Sequence, residues 1–452
     1  MNDLYFWLLA IIVAAFGAAL IYFCFKRFEI AVFMVGFSVW LPNVFLPNSH
    51  EAVLMQDETG IGSYVRIVIL LAMGLVGLIK FIQYLPEHKG RIPVQFTLVG
   101  LFLVLAFASV TYSLDPGMSF IRAATFLALV LFLLGLYTWI KEEEQLYKLL
   151  NSLFYLTLVL IILSAIAMVA MPARAWWWYI SNRFIGIWGH PNTTGMFCLT
   201  AYPVLMWKFS ESNTYQKIMI AGLILFVLFM HILTGSRTSL FASAIGISLW
   251  FILQRKALKT VITLGVIAFG LFVLIQLRPQ SLQREESSNI TDVTGREEFW
   301  DAALQLVEER PLTGYGYSVK GEVWLDPRFY KEGYDLWSGS SRASLHNGYL
   351  SVAVGVGVIG LFIWLAAIFI PFFRAFLTGP DIYKSFALSV MLMMILVNFA
   401  ESSLDSTASI GAIFFWTGWI IAGKIYQLKK AEAVESEEYK ENYAAYPVTK
   451  AY

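Results

Sequence analysis

Long apolar runs recur along the whole chain, and short polar connections separate them. The runs lack the period-2 alternation of barrel strands, and only helices or closed barrels satisfy backbone groups in lipid. Runs of about 18 or more apolar residues are read as membrane-spanning helices. The pattern therefore predicts an all-α polytopic integral membrane protein with about 12–13 transmembrane helices, and its candidate spans are 4–25, 28–47, 64–82, 94–114, 119–140, 148–171, 191–209, 217–234, 238–254, 259–277, 347–374, 382–400 and 408–426.

The connections between the runs alternate in charge. One set is rich in lysine and arginine, as at Lys26 and Arg27 or at Arg255 and Lys256, and the positive-inside rule assigns it to the cytoplasm. The other set is poor in lysine and is expected to face outward; its members are 48–63, 113–118, 172–190, 235–236, 278–346 and 401–405. This topology puts the N-terminus outside, or inside if the first two runs form one re-entrant unit.

Residues 278–346 form a polar island in this apolar chain. The island contains eight arginine and lysine residues and many aromatic side chains, and it predicts one large outward-facing loop with short helices. Thr294 and Glu297 fit a capping box, followed by an apolar helix face of Trp300, Ala303, Leu304 and Val307. The chain then divides into four parts. They are N-terminal transmembrane helices (1–277), the large loop (278–346), C-terminal transmembrane helices (347–426) and a cytoplasmic tail predicted to be disordered (427–452).

Composition supports a membrane protein and excludes other classes. Hydrophobic residues make up 58% of the chain and charged residues 14%, whereas a soluble protein carries about a quarter charged residues. The net charge of +1 gives no support for a nucleic-acid partner. Cys24 and Cys198 lie in distant apolar runs, which predicts buried packing residues. No acidic metal cluster is evident and the Asp-x-Asp spacing of many metal-dependent transferases is absent, so no metal site and no cofactor are predicted.

The outward connections contain the residues that suit chemistry. Arg237 lies in a tight turn, and a charge near membrane depth usually faces a cavity or a partner. Arg296 lies in the first turn of the predicted loop helix, where the helix dipole disfavours a cation, so a phosphate is an alternative partner. His346 ends the island at the membrane border. The same outward regions hold further candidates, namely Arg183, Arg342, His190, Asn347, Tyr349 and Glu401.

Each candidate also has a structural interpretation. Arg237 suits a contact with headgroup phosphates, and His346 suits a satisfied interfacial histidine. Arg183 and His190 are equally compatible with packing and with function. Glu401 suits either an ion pair with an arginine or a contact that holds His346. The tryptophans at 176–178 are expected to anchor the chain in the headgroup belt.

Arginines and a histidine at an outer membrane interface suit one kind of reaction. Guanidinium groups grip phosphate bidentately, which favours a site for a lipid-linked phosphate or diphosphate. A neutral imidazole accepts a proton from a hydroxyl near neutral pH. This combination describes glycosyl transfer from a lipid diphosphate, in which arginines stabilise the charge on the departing diphosphate.

These residues resemble the bacterial O-antigen ligase / O-antigen polymerase superfamily. The resemblance covers most of the chain and is sharpest from Arg183 to Leu361. Each motif is weak alone, but together they occur in the family's order and on one predicted side. The motifs are Arg183-Phe184-x-Gly186 with His190-Pro191-Asn192-x-x-Gly195, Gly235-Ser236-Arg237, Gly295-Arg296 with Trp300, Pro311-Leu312-x-Gly314-x-Gly316, and His346-Asn347-Gly348-Tyr349-Leu350 with Gly357.

The resemblance implies a metal-independent, inverting glycosyltransferase in the bacterial inner membrane, with its active site facing the periplasm. Its donor would be undecaprenyl-diphosphate-linked glycan. His346 would be the general base, and the diphosphate would be bound by Arg237 and Arg296, with Arg183 and Arg342 as further ligands. Supporting roles fall to His190, Asn347, Tyr349 and Glu401. The family usually has about twelve spans with both ends cytoplasmic. The thirteen spans and outward N-terminus predicted here differ from that pattern, and the difference falls on the first two predicted spans.

The acceptor remains open between two reactions. A ligase transfers the glycan to lipid A core, whereas a polymerase transfers it to another lipid-linked repeat, and both need the same donor site. The motifs favour the ligase. A flippase for lipid-linked glycan is an alternative of another class, but it needs an ionisable relay in mid-membrane, and the ionisable residues here cluster at one face. A passive membrane scaffold would leave Arg237, Arg296 and His346 unexplained.

Overall fold

The computed structural model describes residues 21–44, 61–86, 92–177, 182–259, 262, 265, 296–319, 345–404, 407 and 409–444. These residues are almost entirely helical. The helices are α1 (Phe28–Ser38), α2 (Leu41–Val44), α3 (Ile61–Tyr84), α4 (Val94–Ser109), α5 (Pro116–Trp139), α6 (Glu143–Ala170), α7 (Pro172–Ala175), α8 (Pro191–Glu211), α9 (Thr214–Thr234), α10 (Arg237–Leu253), α11 (Arg296–Glu309), α12 (Gly348–Phe376), α13 (Ile382–Val397) and α14 (Ile410–Ala444). One antiparallel ribbon pairs β1 (Trp176–Trp177) with β2 (Arg183–Phe184).

The described helices confirm an all-α polytopic membrane protein. Five of them, α3, α5, α6, α9 and α12, are long and apolar enough to cross a membrane, and α1, α4, α10 and α13 are shorter apolar helices. Every predicted span coincides with a helix except 4–25 and 259–277, which lie largely outside the described residues. The second span, 28–47, is divided between α1 and α2. The total of 12–13 spans therefore stays a prediction.

The outer surface of the bundle is apolar, as a lipid environment requires. Helix α3 exposes Val68, Leu71, Leu75 and Ile82, which recur at three-, four- and seven-residue spacing and so form one stripe. The opposite side of α3 packs on α5 through small residues. A Cβ at Gly77 would lie 2.5 Å from the carbonyl oxygen of Leu131, so glycine is needed for the two backbones to touch.

Helix α12 is broken at Gly357, and this break is where the large loop attaches to the membrane domain. Gly357 has a φ of 74°, and a Cβ there would overlap the carbonyl of Leu312. The backbone of Val358 donates to Pro311 O at 2.8 Å, and Tyr315 N donates to Val354 O at 2.8 Å. The groups freed by the break are thus satisfied by the loop backbone.

The Pro311-Leu312-x-Gly314-x-Gly316 motif therefore docks into the helix break. Gly314 and Gly316 adopt φ values of 65° and 119°, which favour glycine, and Gly316 N donates to Gly355 O at 2.9 Å. From sequence, the small residues of α12 predicted close approach of another helix or a lipid chain. At Gly355 and Gly357 the structure corrects that expectation, because the element that approaches them is a non-helical loop segment.

Two other expectations are corrected. The buried face of α11 contains Ala303 and Leu306, which are 0% and 2% exposed, whereas Leu304 is 48% exposed, so Leu306 replaces Leu304 in the predicted apolar face. The tail predicted to be disordered from residue 427 is helical as far as Ala444, because α14 continues. Alanine, glutamate and lysine dominate that extension, and all three are strong helix formers. Cys24 and Cys198 are buried free cysteines, as predicted.

Candidate active site

His346 lies at the junction between the large loop and α12 and contacts Glu401. Its backbone has a φ of 48°, a conformation that is uncommon for residues other than glycine and recurs at functional sites. Nδ1 of His346 lies 3.3 Å from Oε2 of Glu401, and their side chains are 31% and 15% exposed. A proton on Nδ1 directed at this carboxylate gives Nε2 the lone pair that a base needs. Of the two roles predicted for Glu401, the structure places it against His346.

The start of α12 is held in place by backbone and side-chain contacts around His346. Asn347 is the N-cap, and its Oδ1 accepts from the backbone of Tyr349 and Leu350 at 3.0 and 3.1 Å. Gly348 N donates to Asn398 O at 2.9 Å and to Glu401 O at 3.2 Å. A Cβ at Gly348 would overlap the Asn398 side chain. The backbones that carry His346 and Glu401 are therefore joined directly.

Asn192, in the first turn of α8, connects Glu401 to Arg183. Its Nδ2 donates to Glu401 Oε1 at 2.6 Å, and its Oδ1 accepts from Arg183 Nη2 at 3.0 Å. Both oxygens of Glu401 are thus engaged, one by Asn192 and one by His346. The sequence predicted Asn192 only as part of a motif, and its bridging role was missed. An amide next to a helix start in an outward connection was the available signal.

Arg183 lies in β2 and joins the ribbon to the end of α9. Its Nε donates to the carbonyl of Thr234 at 2.6 Å, and the residue is 8% exposed. Thr234 is the last residue of α9, where the helix dipole favours a cation. Arg183 lies in an outward connection, as the sequence predicted, but its guanidinium is buried. Its Nε and Nη2 donate hydrogen bonds to protein atoms. A diphosphate contact for Arg183 stays a prediction that this burial disfavours.

The turn that carries Arg237 is clamped between α8 and α9. Gly235 ends α9 with a φ of 58°, and Arg237 begins α10 as a half-buried residue. Gly195 of α8 packs against this turn so closely that a Cβ would lie 2.5 Å from Ser239 Oγ and 2.8 Å from Ser236 Cβ. The motif glycines therefore fix the backbone on which Arg237 stands.

A fully buried histidine, which sequence reasoning missed, supports the same turn from inside the membrane domain. His231 Nε2 lies 2.8 Å from Ser239 Oγ, and its Nδ1 lies 3.3 Å from the Tyr202 hydroxyl. Ser239 Oγ donates to Ser236 O at 3.0 Å, so it accepts from Nε2, and Tyr202 then donates to Nδ1. His231 lies in a continuous apolar run, and a lone ionisable residue there was the signal that could have found it.

Helix α11 brings the backbone of Arg296 toward the His346 junction. Arg296 begins α11, and Trp300 follows one helical turn later. The indole nitrogen of Trp300 donates to Leu345 O, the residue before His346, at 3.2 Å. Ala303 and Leu306 pack in a small separate core with Tyr315, Val319, Leu345 and Val354. The side chain of Arg296 and all of Arg342 lie outside the described residues, so their positions remain predictions.

His190 and Tyr349, predicted as supporting residues, make structural contacts at the edge of the site. His190 is the N-cap of α8, where its Nδ1 accepts from Asn192 N at 3.2 Å. Tyr349 donates through its hydroxyl to Ile395 O at 2.8 Å, and its ring centroid lies 4.6 Å from that of Phe399. His190 thus caps the first turn of α8, in which Asn192 lies, and Tyr349 connects α12 to α13. In the part of the chain that the structure describes, no cluster of three metal-binding side chains occurs.

The described parts of the connections predicted to face outward contact one another, while the 48–63 connection lies largely outside the described residues. The 172–190 connection contacts the 235–236 turn through Arg183 and Thr234, and the 401–405 connection contacts the end of the large loop through Glu401 and His346. The 113–118 turn reaches the large loop as well, since Leu114 N donates to Tyr315 O at 3.2 Å. These contacts agree with the alternating charge pattern that assigned the connections to one side.

Comparison with known proteins gives two matches. A family model described as "O-Antigen ligase" matches residues 221–365, a range that includes Arg237, Arg296, Arg342 and His346. The chain is also 29% identical over 135 residues to the O-antigen ligase of Pseudomonas aeruginosa strain PAO1. That alignment covers 30% of this chain and 29% of the relative, so the chain is matched to less than a third of that protein. Residues 221–365 are therefore similar to the O-antigen ligase domain, and the partial alignment with a curated O-antigen ligase supports the same superfamily.

Proposed function

We propose that this protein is a glycosyltransferase that moves glycan from an undecaprenyl-diphosphate donor to a hydroxyl acceptor at the outer face of the bacterial inner membrane. The observation that carries the proposal is the Glu401–His346 pair, at 3.3 Å, beside the start of α12. The same hydrogen-bonded chain continues through Asn192 and Arg183 to the end of the helix that precedes Arg237. A base and an arginine turn therefore belong to one connected assembly.

In the proposed reaction the acceptor hydroxyl attacks the anomeric carbon of the donor glycan. The new bond joins the acceptor oxygen to that carbon, and the bond from the carbon to the diphosphate oxygen breaks. Nε2 of His346 takes the hydroxyl proton, and Glu401 stabilises the imidazolium that results. A single displacement of this kind inverts the configuration at the anomeric carbon.

The departing diphosphate carries the negative charge that the arginines are proposed to stabilise. Arg237 stands at the beginning of α10, where the helix N-terminus adds a favourable dipole for an anion. Arg296 begins α11, whose later residues attach beside His346 through Trp300. Arg342 is the third proposed ligand, by its place close before His346 in the chain. Arginine is suited to this task because its planar fork binds phosphate oxygens in pairs.

Lipid A core is the acceptor we propose, which makes the protein a ligase. The support is the match to the O-antigen ligase domain and to a relative of that name. Extension of a lipid-linked repeat by the same donor site is the polymerase alternative.

The experiment that tests the function uses the purified full chain in lipid nanodiscs. Undecaprenyl-diphosphate-linked glycan is supplied with lipid A core, with a second lipid-linked glycan, or with no acceptor. Glycosylated lipid A core supports the ligase, and lengthened lipid-linked glycan supports the polymerase. In parallel liposomes, movement of the donor across the bilayer without a new glycosidic bond would overturn the transferase proposal in favour of a flippase.

A further inference from the structure

We propose that Arg183 and Asn192 are positioning residues, which act through Glu401 to hold the base His346 at a fixed position relative to the arginine turn at 235–237. The inference rests on the proposed function and departs from the sequence-based expectation that Arg183 binds diphosphate. It concerns four side chains in one hydrogen-bonded row, Arg183, Asn192, Glu401 and His346.

The burial and chemistry of Arg183 support a positioning role. A buried guanidinium is costly unless its donors are satisfied, and here Nε and Nη2 donate to the Thr234 carbonyl and to Asn192 Oδ1. The Thr234 carbonyl belongs to the residue directly before the Gly235-Ser236-Arg237 turn. Arg183 therefore fixes the backbone that leads into that turn. Arg237, by contrast, is only half-buried and so is more accessible to a substrate.

The amide of Asn192 can satisfy both of its neighbours in only one orientation. Its oxygen faces the guanidinium of Arg183, and its NH₂ group faces the carboxylate of Glu401. The reversed amide would direct N–H at a cation and an oxygen at an anion. Asn192 is 7% exposed, so water does not readily replace either contact. The Asn192 amide thus fixes the Glu401 carboxylate relative to the Arg183 guanidinium.

The consequence for Glu401 is a fixed carboxylate. With Oε1 held by Asn192 at 2.6 Å, Oε2 is directed at Nδ1 of His346, which selects the tautomer that has its lone pair on Nε2. Loss of Asn192 would remove a contact that holds the carboxylate and would misalign the base. Misplacement of a catalytic group by about 1 Å costs roughly a hundredfold in rate. The expected defect is therefore in kcat, with donor binding preserved.

The test is a set of double-mutant cycles on purified variants in nanodiscs, with kcat and donor KM measured for each. We expect N192A and E401Q to lower kcat by about 10- to 100-fold with donor KM changed less than about threefold. If Asn192 and Glu401 act through the same hydrogen-bonded chain, the double variant N192A/E401Q is no less active than the less active of the two single variants. N192A/R237A, which combines a positioning residue with a donor ligand, is expected to lose the product of the two single effects.

Arg183→Ala distinguishes positioning from diphosphate binding. A positioning role predicts a fall in kcat, a donor KM that rises less than tenfold because the turn before Arg237 is disturbed only indirectly, and no further loss of kcat in R183A/E401Q. A tenfold or larger rise in donor KM, or independent effects in both cycles, would overturn the inference. If R183A does not accumulate as folded protein, the Asn192 cycle decides the matter alone.

The two proposals fail in different ways. A wild-type protein that transfers no glycan to any acceptor, or an H346A variant with full activity, contradicts the proposed function. An active wild type and inactive H346A, combined with multiplicative losses in N192A/E401Q, contradict only the positioning role.

Discussion

Glu401 lies 3.3 Å from His346, although 55 residues and the helices α12 and α13 separate them in the chain. The contact holds an imidazole next to the N-cap of α12 and directs one carboxylate oxygen at Nδ1. A carboxylate in this position orients the ring and stabilises its cationic form once it has taken a proton.

Replacement of Glu401 by glutamine should impair catalysis without unfolding the protein. E401Q keeps the size of the side chain but removes the charge that stabilises the imidazolium, so kcat should fall at least about tenfold. The measurement is initial-rate kinetics over a range of donor concentrations, with the melting temperature as a check on folding. Lys148→Ala, which breaks an exposed ion pair with Glu144, is the control that should keep wild-type rates. Wild-type kcat in E401Q would contradict the role of the pair.

Removal of the imidazole should abolish transfer. H346A lacks the proposed base, and loss of a positioned base costs about a hundredfold or more. Product formation is measured by separation of glycosylated acceptor from free acceptor, and donor binding is measured separately. Donor binding should persist, because the proposed base acts on the acceptor hydroxyl and not on the diphosphate. A variant that transfers glycan normally would remove His346 from the mechanism.

Arg237 is expected to require a guanidinium. R237K retains the charge but presents a point donor in place of a planar fork, and a lost charged hydrogen bond is worth about 1.5–3 kcal/mol, or roughly 10- to 100-fold in kcat/KM. The defect should appear in kcat as well as in donor KM, because Arg237 is proposed both to bind the diphosphate and to stabilise its charge as it departs. Unchanged kcat/KM for R237K would leave Arg237 as an interfacial anchor.

The break in α12 should require glycine. In G357A the methyl group would overlap the Leu312 carbonyl, and the φ of 74° is strained for alanine, so the melting temperature should fall. Gly100 is the matched control, because a Cβ there meets nothing within 4 Å and its helix continues on both sides. G100A should melt at or above the wild-type temperature. Equal stability of the two variants would refute the docking of the loop at the break.

The two leucines of α11 provide a test of which face is buried. Leu306 is 2% exposed and Leu304 is 48% exposed. L306A should weaken the attachment of α11 by about 2–5 kcal/mol, whereas L304A should change stability by less than about 0.5 kcal/mol. Limited proteolysis of the large loop measures the difference, with faster cleavage expected in L306A. Faster cleavage in L304A instead would support the face predicted from sequence.

The pattern of apolar and polar residues was enough to predict most of the helices, because an 18-residue apolar run has few alternatives to a spanning helix. It failed at α12, where an unbroken apolar pattern hides the break at Gly357. It also failed on α11, where Leu304 and Leu306 have the same hydrophobicity and only packing against the loop and α12 distinguishes them.

The sequence predicted which residues of the candidate site collect on one side of the membrane. The structure showed which of those residues contact one another. Sequence identified His346, Arg183 and Glu401, but it left open whether Glu401 would pair with an arginine or with His346. It missed the bridging amide of Asn192 and the buried His231, because a hydrogen bond between distant segments leaves no local pattern.

The sequence by itself determined that the chain spans a membrane with helices, since backbone groups in lipid must be satisfied within each segment. Through the uneven placement of lysine it also predicted that the candidate arginine and histidine residues collect on one side of the membrane. Only the tertiary structure decided which of these residues touch. The order Arg183, Asn192, Glu401, His346 arises because four separate segments converge, and their convergence depends on side-chain packing and glycine contacts that no single segment encodes.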